Sequence, residues 1–131
     1  MHREEFGTAD DYFRAFQSVL REGVPPKHLA MLREHFRAPD HTTTWWQLAE
    51  KVGYPDFNTV NLQYGTFAGR VARQLGWSEK LLDPGGHRSW VWVLVHWAEE
   101  RDDTGDTAFV LRPEVVEALK RLVQTGDFRE K

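Results

Sequence analysis

Apolar positions recur along most of this chain with the 3.6-residue period of amphipathic helices, interrupted by glycine and proline where turns belong. Thr8 can cap a first helix from about Ala9 to Glu22, with Tyr12, Phe13, Phe16, Val19 and Leu20 as its apolar stripe and Gly23 as its stop. Pro25 and Pro26 open a second helix, since first-turn amides need no helical acceptor. Leu29, Leu32 and Phe36 mark its buried face, and Pro39 ends it. Thr44 and Gln47 have capping-box spacing and start a third helix, with Trp45, Leu48, Ala49 and Val52 turned inward. Gly53 is its left-handed stop, and Tyr54-Pro55-Asp56 is turn chemistry. A fourth helix runs from about Asn58 to Leu75, where Val60, Tyr64, Phe67, Ala68, Val71 and Leu75 make one clean face.

Beyond Gly76 the helical period is lost, and Asp83-Pro84-Gly85-Gly86 reads as a loop. Ser89 to Ala98 is β-branched, aromatic and apolar on both faces, which predicts a largely covered strand with Trp90 and Trp92 on one face and Trp97 on the other. Glu99 to Asp106 reads as a polar turn, and Thr107 to Arg112 as the returning strand. Pro113 opens a last helix to about Gln124, with Val115, Val116, Leu119, Leu122 and Val123 facing in and Gly126 ending it. The expected fold is mainly α with a β-hairpin (α+β) and winged-helix-like. Helices at 27–37, 44–52 and 58–75 form a three-helix core, the hairpin at 89–112 is the wing, and the first and last helices are additions.

Length and composition sharpen this picture. A chain of 131 residues with 17 aromatic side chains suits one domain over 1–131, its core at about 25–124. The absence of cysteine excludes disulfides, thiolate metal sites and cysteine nucleophiles, and fits a reducing cytoplasm. The charged N-terminus lacks a signal-peptide core, and no apolar run nears the ~20 residues of a membrane span. Net charge is −3, which counts against a protein that grips nucleic acid by bulk positive charge. Residues 51–88 alone are net positive, at +2, against −2 before them and −3 after.

In a helix–turn–helix the second helix enters the DNA major groove while the first crosses the backbone. Opposite its apolar face, the helix at 58–75 carries Thr59, Gln63, Thr66, Arg70 and Arg73, with Asn58 and Asn61 near its start. Gln and Asn can read adenine edges, and Arg can read guanine or bind phosphate. Thr42, Thr43, Thr44 and Lys51 could hold phosphates beside them. A solvated helix face explains the same residues without any ligand. The acidic turn, with Glu99, Glu100, Asp102, Asp103 and Asp106 against Arg101, would be repelled by phosphate. Gly65 and Gly69 lie a turn apart within the fourth helix and cost it about 1 kcal/mol each, which points to close packing or to close approach by a ligand. Of the adjacent pair Trp45 and Trp46, one is expected inside and one outside; an exposed Trp46 could stack on a base. His28 and His35 can share a helix face, but no metal-ligand spacing accompanies them, and surface imidazoles suffice. Asp103-Thr104-Gly105 matches half of an aspartic-protease site, and the missing second carboxylate makes it chance. No P-loop, dinucleotide fingerprint or nucleophile elbow is present, so neither catalysis nor a cofactor is expected.

Thr44 with Leu48, Ala49 and Gly53 resembles the helix–turn–helix of alkylguanine-DNA alkyltransferases, which have a Thr-aromatic-x-x-Leu-Ala-x-x-x-Gly pattern there. Their alkyl-accepting cysteine has no counterpart, so alkyl transfer is not implied. LREHFRAP, LAEKVGY, NLQYGTFAGRVARQLG and VLRPEVVEAL, spread over most of 27–123, are similar to a small module found alone or ahead of HNH nuclease domains in bacterial modification-dependent restriction proteins. Asn61-Leu62-Gln63-Tyr64-Gly65 is its most distinctive part. This resemblance implies a DNA-reading module in restriction or phage defence, with any cleavage left to a nuclease partner. The expected function is therefore non-catalytic binding of double-stranded DNA in a bacterial cytoplasm. Two alternatives stand beside it: a protein-interaction module using the same helix face, and a reader of a modified base through exposed tryptophans.

Overall fold

The computed structural model describes residues 6–77, 81–82, 88–98 and 107–129. Five helices account for most of them: α1 (Ala9–Glu22), α2 (Pro26–Arg37), α3 (Trp45–Val52), α4 (Phe57–Gln74) and α5 (Pro113–Thr125). Their ends follow local chemistry. Thr8 and Thr44 each complete a capping box, with Asp11 and Gln47 as the reciprocal partners. Asp56 caps α4 by accepting from the Thr59 amide at 2.8 Å, and that donor holds its carboxyl below the usual range. Gly53 and Gly126 close α3 and α5 at φ 89° and 83°, where a β-carbon would be strained.

Short strands complete an α+β fold: β1 (Thr42–Thr43), β2 (Leu81–Leu82), β3 (Arg88–Ser89), β4 (Val95–Trp97) and β5 (Phe109–Leu111). β1, β5 and β4 form an antiparallel sheet in that order. Thr43 and Trp97 both lie opposite Phe109. β2 and β3 make a separate antiparallel pair. The expected loop at 83–86, the acidic turn at 99–106 and the Asp103-Thr104-Gly105 match lie outside the described residues.

The expected continuous strand over Ser89–Ala98 is corrected. The chain leaves β3 as a 3₁₀ turn over Trp90–Val93 before resuming as β4. Ser89 caps the turn by accepting from the Val91 amide at 3.2 Å. Two carbonyls within it are taken by side chains from elsewhere: Tyr12 donates to Val93 at 2.6 Å and Arg112 Nε to Trp92 at 2.7 Å. With those acceptors occupied by side chains, the segment can be buried without a strand partner. Trp90 and Trp92 therefore do not share a strand face.

One aromatic node holds the helices to the sheet. Trp45 stacks on Phe109 at 4.0 Å with the rings 6° from parallel, and meets Tyr64 edge-on at 5.7 Å. His35 lies beside both and is fully buried, with its Nδ1 2.9 Å from the Tyr64 hydroxyl and its Nε2 3.0 Å from the Phe109 carbonyl. The expectation that His28 and His35 are surface imidazoles is thus wrong. They share the inner face of α2 with Met31, Leu32 and Phe36, because each ring finds a polar partner on α4. α1 packs against α4 and α5, so the two terminal helices lie together over the core.

Candidate functional site

α3 and α4 are joined by the turn Gly53–Asp56, and Lys27 of α2 clamps it. Its ammonium donates to the Gly53 carbonyl at 3.2 Å and sits 4.8 Å over the Tyr54 ring. The turn thus fixes the angle at which α4 leaves.

The sequence-predicted contact residues divide by the flank of α4 that they occupy. Thr59, Gln63 and Arg70 sit on the side turned toward α1 and α2. Gln63 accepts from His28 Nε2 at 2.7 Å. Arg70 donates to the Gly23 carbonyl at 2.8 Å and pairs with Glu22 at 3.2 Å, binding α4 to the end of α1. The Thr59 hydroxyl donates to Asp56 at 2.9 Å. On α3, Thr44 is buried and its hydroxyl accepts from the Gln47 amide at 3.1 Å. Thr43 is buried too, while Thr42 is part-exposed and donates to the Asp40 carbonyl. These groups serve the fold, and their hydrogen-bonding capacity is largely taken.

A second set faces outward. Asn58, Asn61, Leu62, Thr66 and Arg73 are all exposed and fall on one stripe of α4. Thr66 back-bonds to the Leu62 carbonyl at 2.9 Å. The side chains of Asn58, Asn61 and Arg73 make no hydrogen bond or ion pair among the described residues. Leu62 is 66% exposed, an apolar side chain in the middle of a polar face. Lys51 is exposed on α3, beside the exposed Glu50. No continuous positive strip results: on this stripe of α4 the one cation is Arg73.

The two glycines of α4 have different reasons. A β-carbon on Gly69 would stand 2.9 Å from Trp90 Cδ1, so the indole occupies the space a side chain would need. One on Gly65 would meet nothing nearer than Ser89 Oγ at 3.9 Å, so packing does not require glycine there. Both line a shallow groove of about 300 Å³ that runs between Leu62 and Arg73 on α4 and the Ser89–Trp90 corner.

Of the adjacent tryptophans, Trp45 is inside and Trp46 is 47% exposed. Trp46 lies 6.1 Å from the exposed Phe57 ring, tilted by 53°, so the pair forms an apolar patch but no parallel slot for a base. Sequence reasoning passed over Phe57 and Leu62. The signal was present in Leu62, an apolar residue that breaks the polar side of an otherwise regular helix.

Among the described residues, no group of three or more His, Asp or Glu is placed to hold a metal ion, and no helix is long and apolar enough to cross a membrane. No protein-family model, curated protein or solved structure matches the chain.

Proposed function

We propose that this chain is a non-catalytic module that docks double-stranded DNA through the outward stripe of α4, as a winged helix. Apart from β2, β3 and the 3₁₀ turn inserted between α4 and β4, the order α2-β1-α3-α4-β4-β5, with β1 beside β5 and β5 beside β4, is compatible with that fold and supports the reading. In it α3 crosses the backbone and the first turns of α4 meet the base edges. The observation that carries the proposal is the uncommitted stripe itself: Asn58, Asn61 and Arg73 keep their donors and acceptors free while their neighbours on the other flank do not. The similarity to modules that precede HNH nucleases makes restriction or defence in a bacterial cytoplasm the proposed setting, with a nuclease as the partner that would cut.

The proposal moves the binding face from where the sequence put it. Arg70 and Gln63 become fold residues, and Lys51 and Arg73 become the phosphate-facing pair. Fluorescence anisotropy with labelled duplex at low salt tests this. Lys51→Ala with Arg73→Ala is expected to weaken binding about tenfold and to reduce the salt slope by about 2, roughly one unit for each phosphate that loses its cation. Arg70→Ala should lower the melting temperature and leave affinity nearly unchanged. Equal affinity of wild type and the Lys51/Arg73 variant, or no duplex binding at low salt, defeats the proposal.

One observation favours a second reading. Trp46, Phe57 and Leu62 are exposed, and exposed aromatic residues suit a protein contact better than a phosphate backbone. A loss of duplex binding together with capture of a nuclease partner that Trp46→Ala abolishes would select it.

A further inference from the structure

We infer that the outward stripe of α4 discriminates A·T from G·C pairs in the major groove, with Leu62 seated on a thymine methyl and Asn58 or Asn61 on the adenine edge. The inference rests on the DNA reading proposed above and names what that face would read. It starts from what the stripe lacks. With Arg73 the one cation on the stripe and Lys51 the one beside it, phosphate contacts are few, so much of the affinity has to come from base edges and apolar contact. The available groups fit one kind of pair. The free Asn58 and Asn61 amides match the N6 donor and N7 acceptor of adenine, which a single asparagine can engage bidentately. Guanine is read chiefly by paired donors from Arg or Lys, and neither occurs on the first two turns of α4. Leu62, in the second turn and 66% exposed, offers an aliphatic group where thymine offers its C5 methyl. Gly65 follows without a side chain, and the nearest atom to where one would stand is Ser89 Oγ at 3.9 Å, so the groove beside Leu62 is not filled from α4. Thr66, whose hydroxyl already donates to Leu62, adds no competing donor.

The experiment uses the full chain and three short duplexes of alternating sequence: A·T, G·C, and A·U, the last differing from the first only by the thymine methyl. Anisotropy titrations at low salt are expected to rank A·T over A·U by about fourfold per methyl buried, and A·U over G·C. Leu62→Ala, a change at an exposed position, should erase the A·T to A·U difference and keep the preference over G·C. Asn58→Ala with Asn61→Ala should do the reverse. Duplex binding without any distinction between A·T and A·U, or a distinction that survives Leu62→Ala, overturns this inference and leaves the DNA reading intact. Absence of binding to all three duplexes overturns both.

Discussion

Acid should destabilise this protein through His35 before it reaches the carboxylates. The Phe109 carbonyl can only accept, so Nε2 of His35 must carry the hydrogen. Nδ1 is then an acceptor, and the Tyr64 hydroxyl donates to it. Protonating Nδ1 would place a charge at a site with no solvent exposure and force the Tyr64 hydroxyl to turn. Burial dominates, the Phe109 carbonyl opposes it, His41 acts in both directions through its charge and its backbone, and the pKa falls from 6.5 to about 4. The folded protein thus binds this proton less readily than the unfolded chain. Stability from this group is full above pH 6.5, falls as pH drops toward about 4, and is level below that. At about 1.4 kcal/mol per pH unit the loss totals roughly 3 kcal/mol, a large share of the roughly 5–15 kcal/mol available to a small domain. Urea titrations across the window from pH 6.5 to about 4 measure it. His35→Gln, which keeps a donor and an acceptor but cannot titrate, serves as the reference. Asp10, Asp11, Asp56 and Asp127 have carboxyls held below their usual range and act lower in pH; they are common to both proteins, so they cancel in the difference. Parallel stability curves for wild type and His35→Gln across this window would refute the role given to this imidazole.

Two further predictions concern the helices that carry the candidate surface. Gly65→Ala should raise stability by about 1 kcal/mol, because the new methyl meets nothing nearer than Ser89 Oγ at 3.9 Å, an ordinary contact, and the helix gains propensity. Gly69→Ala should instead lower it, by roughly 0–2 kcal/mol, since overpacking against Trp90 costs about 1–3 kcal/mol against the same gain; calorimetry that finds the second variant as stable as the first contradicts this. Thr44→Ala removes the acceptor for the Gln47 amide and should cost about 1 kcal/mol, a melting-temperature drop of roughly 3–5 °C; an unchanged melting temperature would show that the capping box contributes nothing.

What could be read from the chain alone was what local chemistry decides. Thr8, Thr44, Gly53 and Gly126 act on residues within one turn of themselves, so their roles were visible in short windows. The buried set of α4 was visible for a related reason, since Val60, Tyr64, Phe67, Ala68 and Val71 repeat with the helix period. Period alone does not say which part of the remaining surface meets a neighbour. Gln63 and Arg70 looked as free as Asn61 and Arg73, and the difference lies in His28 and Gly23, 35 and 47 residues away. The same limit hid the burial of His35, whose partner carbonyl is 74 residues distant. The 89–98 segment failed differently. An apolar run covered on every side carries no period, so a strand and a turn capped by distant side chains look alike in sequence. The candidate site was accordingly half legible: the helix itself was placed, Gln63 and Arg70 were read as free although they bond to other helices, and the exposure of Leu62 was passed over.

The stacking of Trp45 on Phe109 has a consequence for how the molecule can be made and divided. The floor of the helix–turn–helix comes from a strand far later in the chain, and β1 has no ladder until that strand arrives. On the ribosome, the segment ending at α4 emerges with Trp45 uncovered and waits for the C-terminal third before it can close. A fragment cut after Gln74 would expose that indole to water and to other chains, so α4 and the β4–β5 pair behind it fold and fail together.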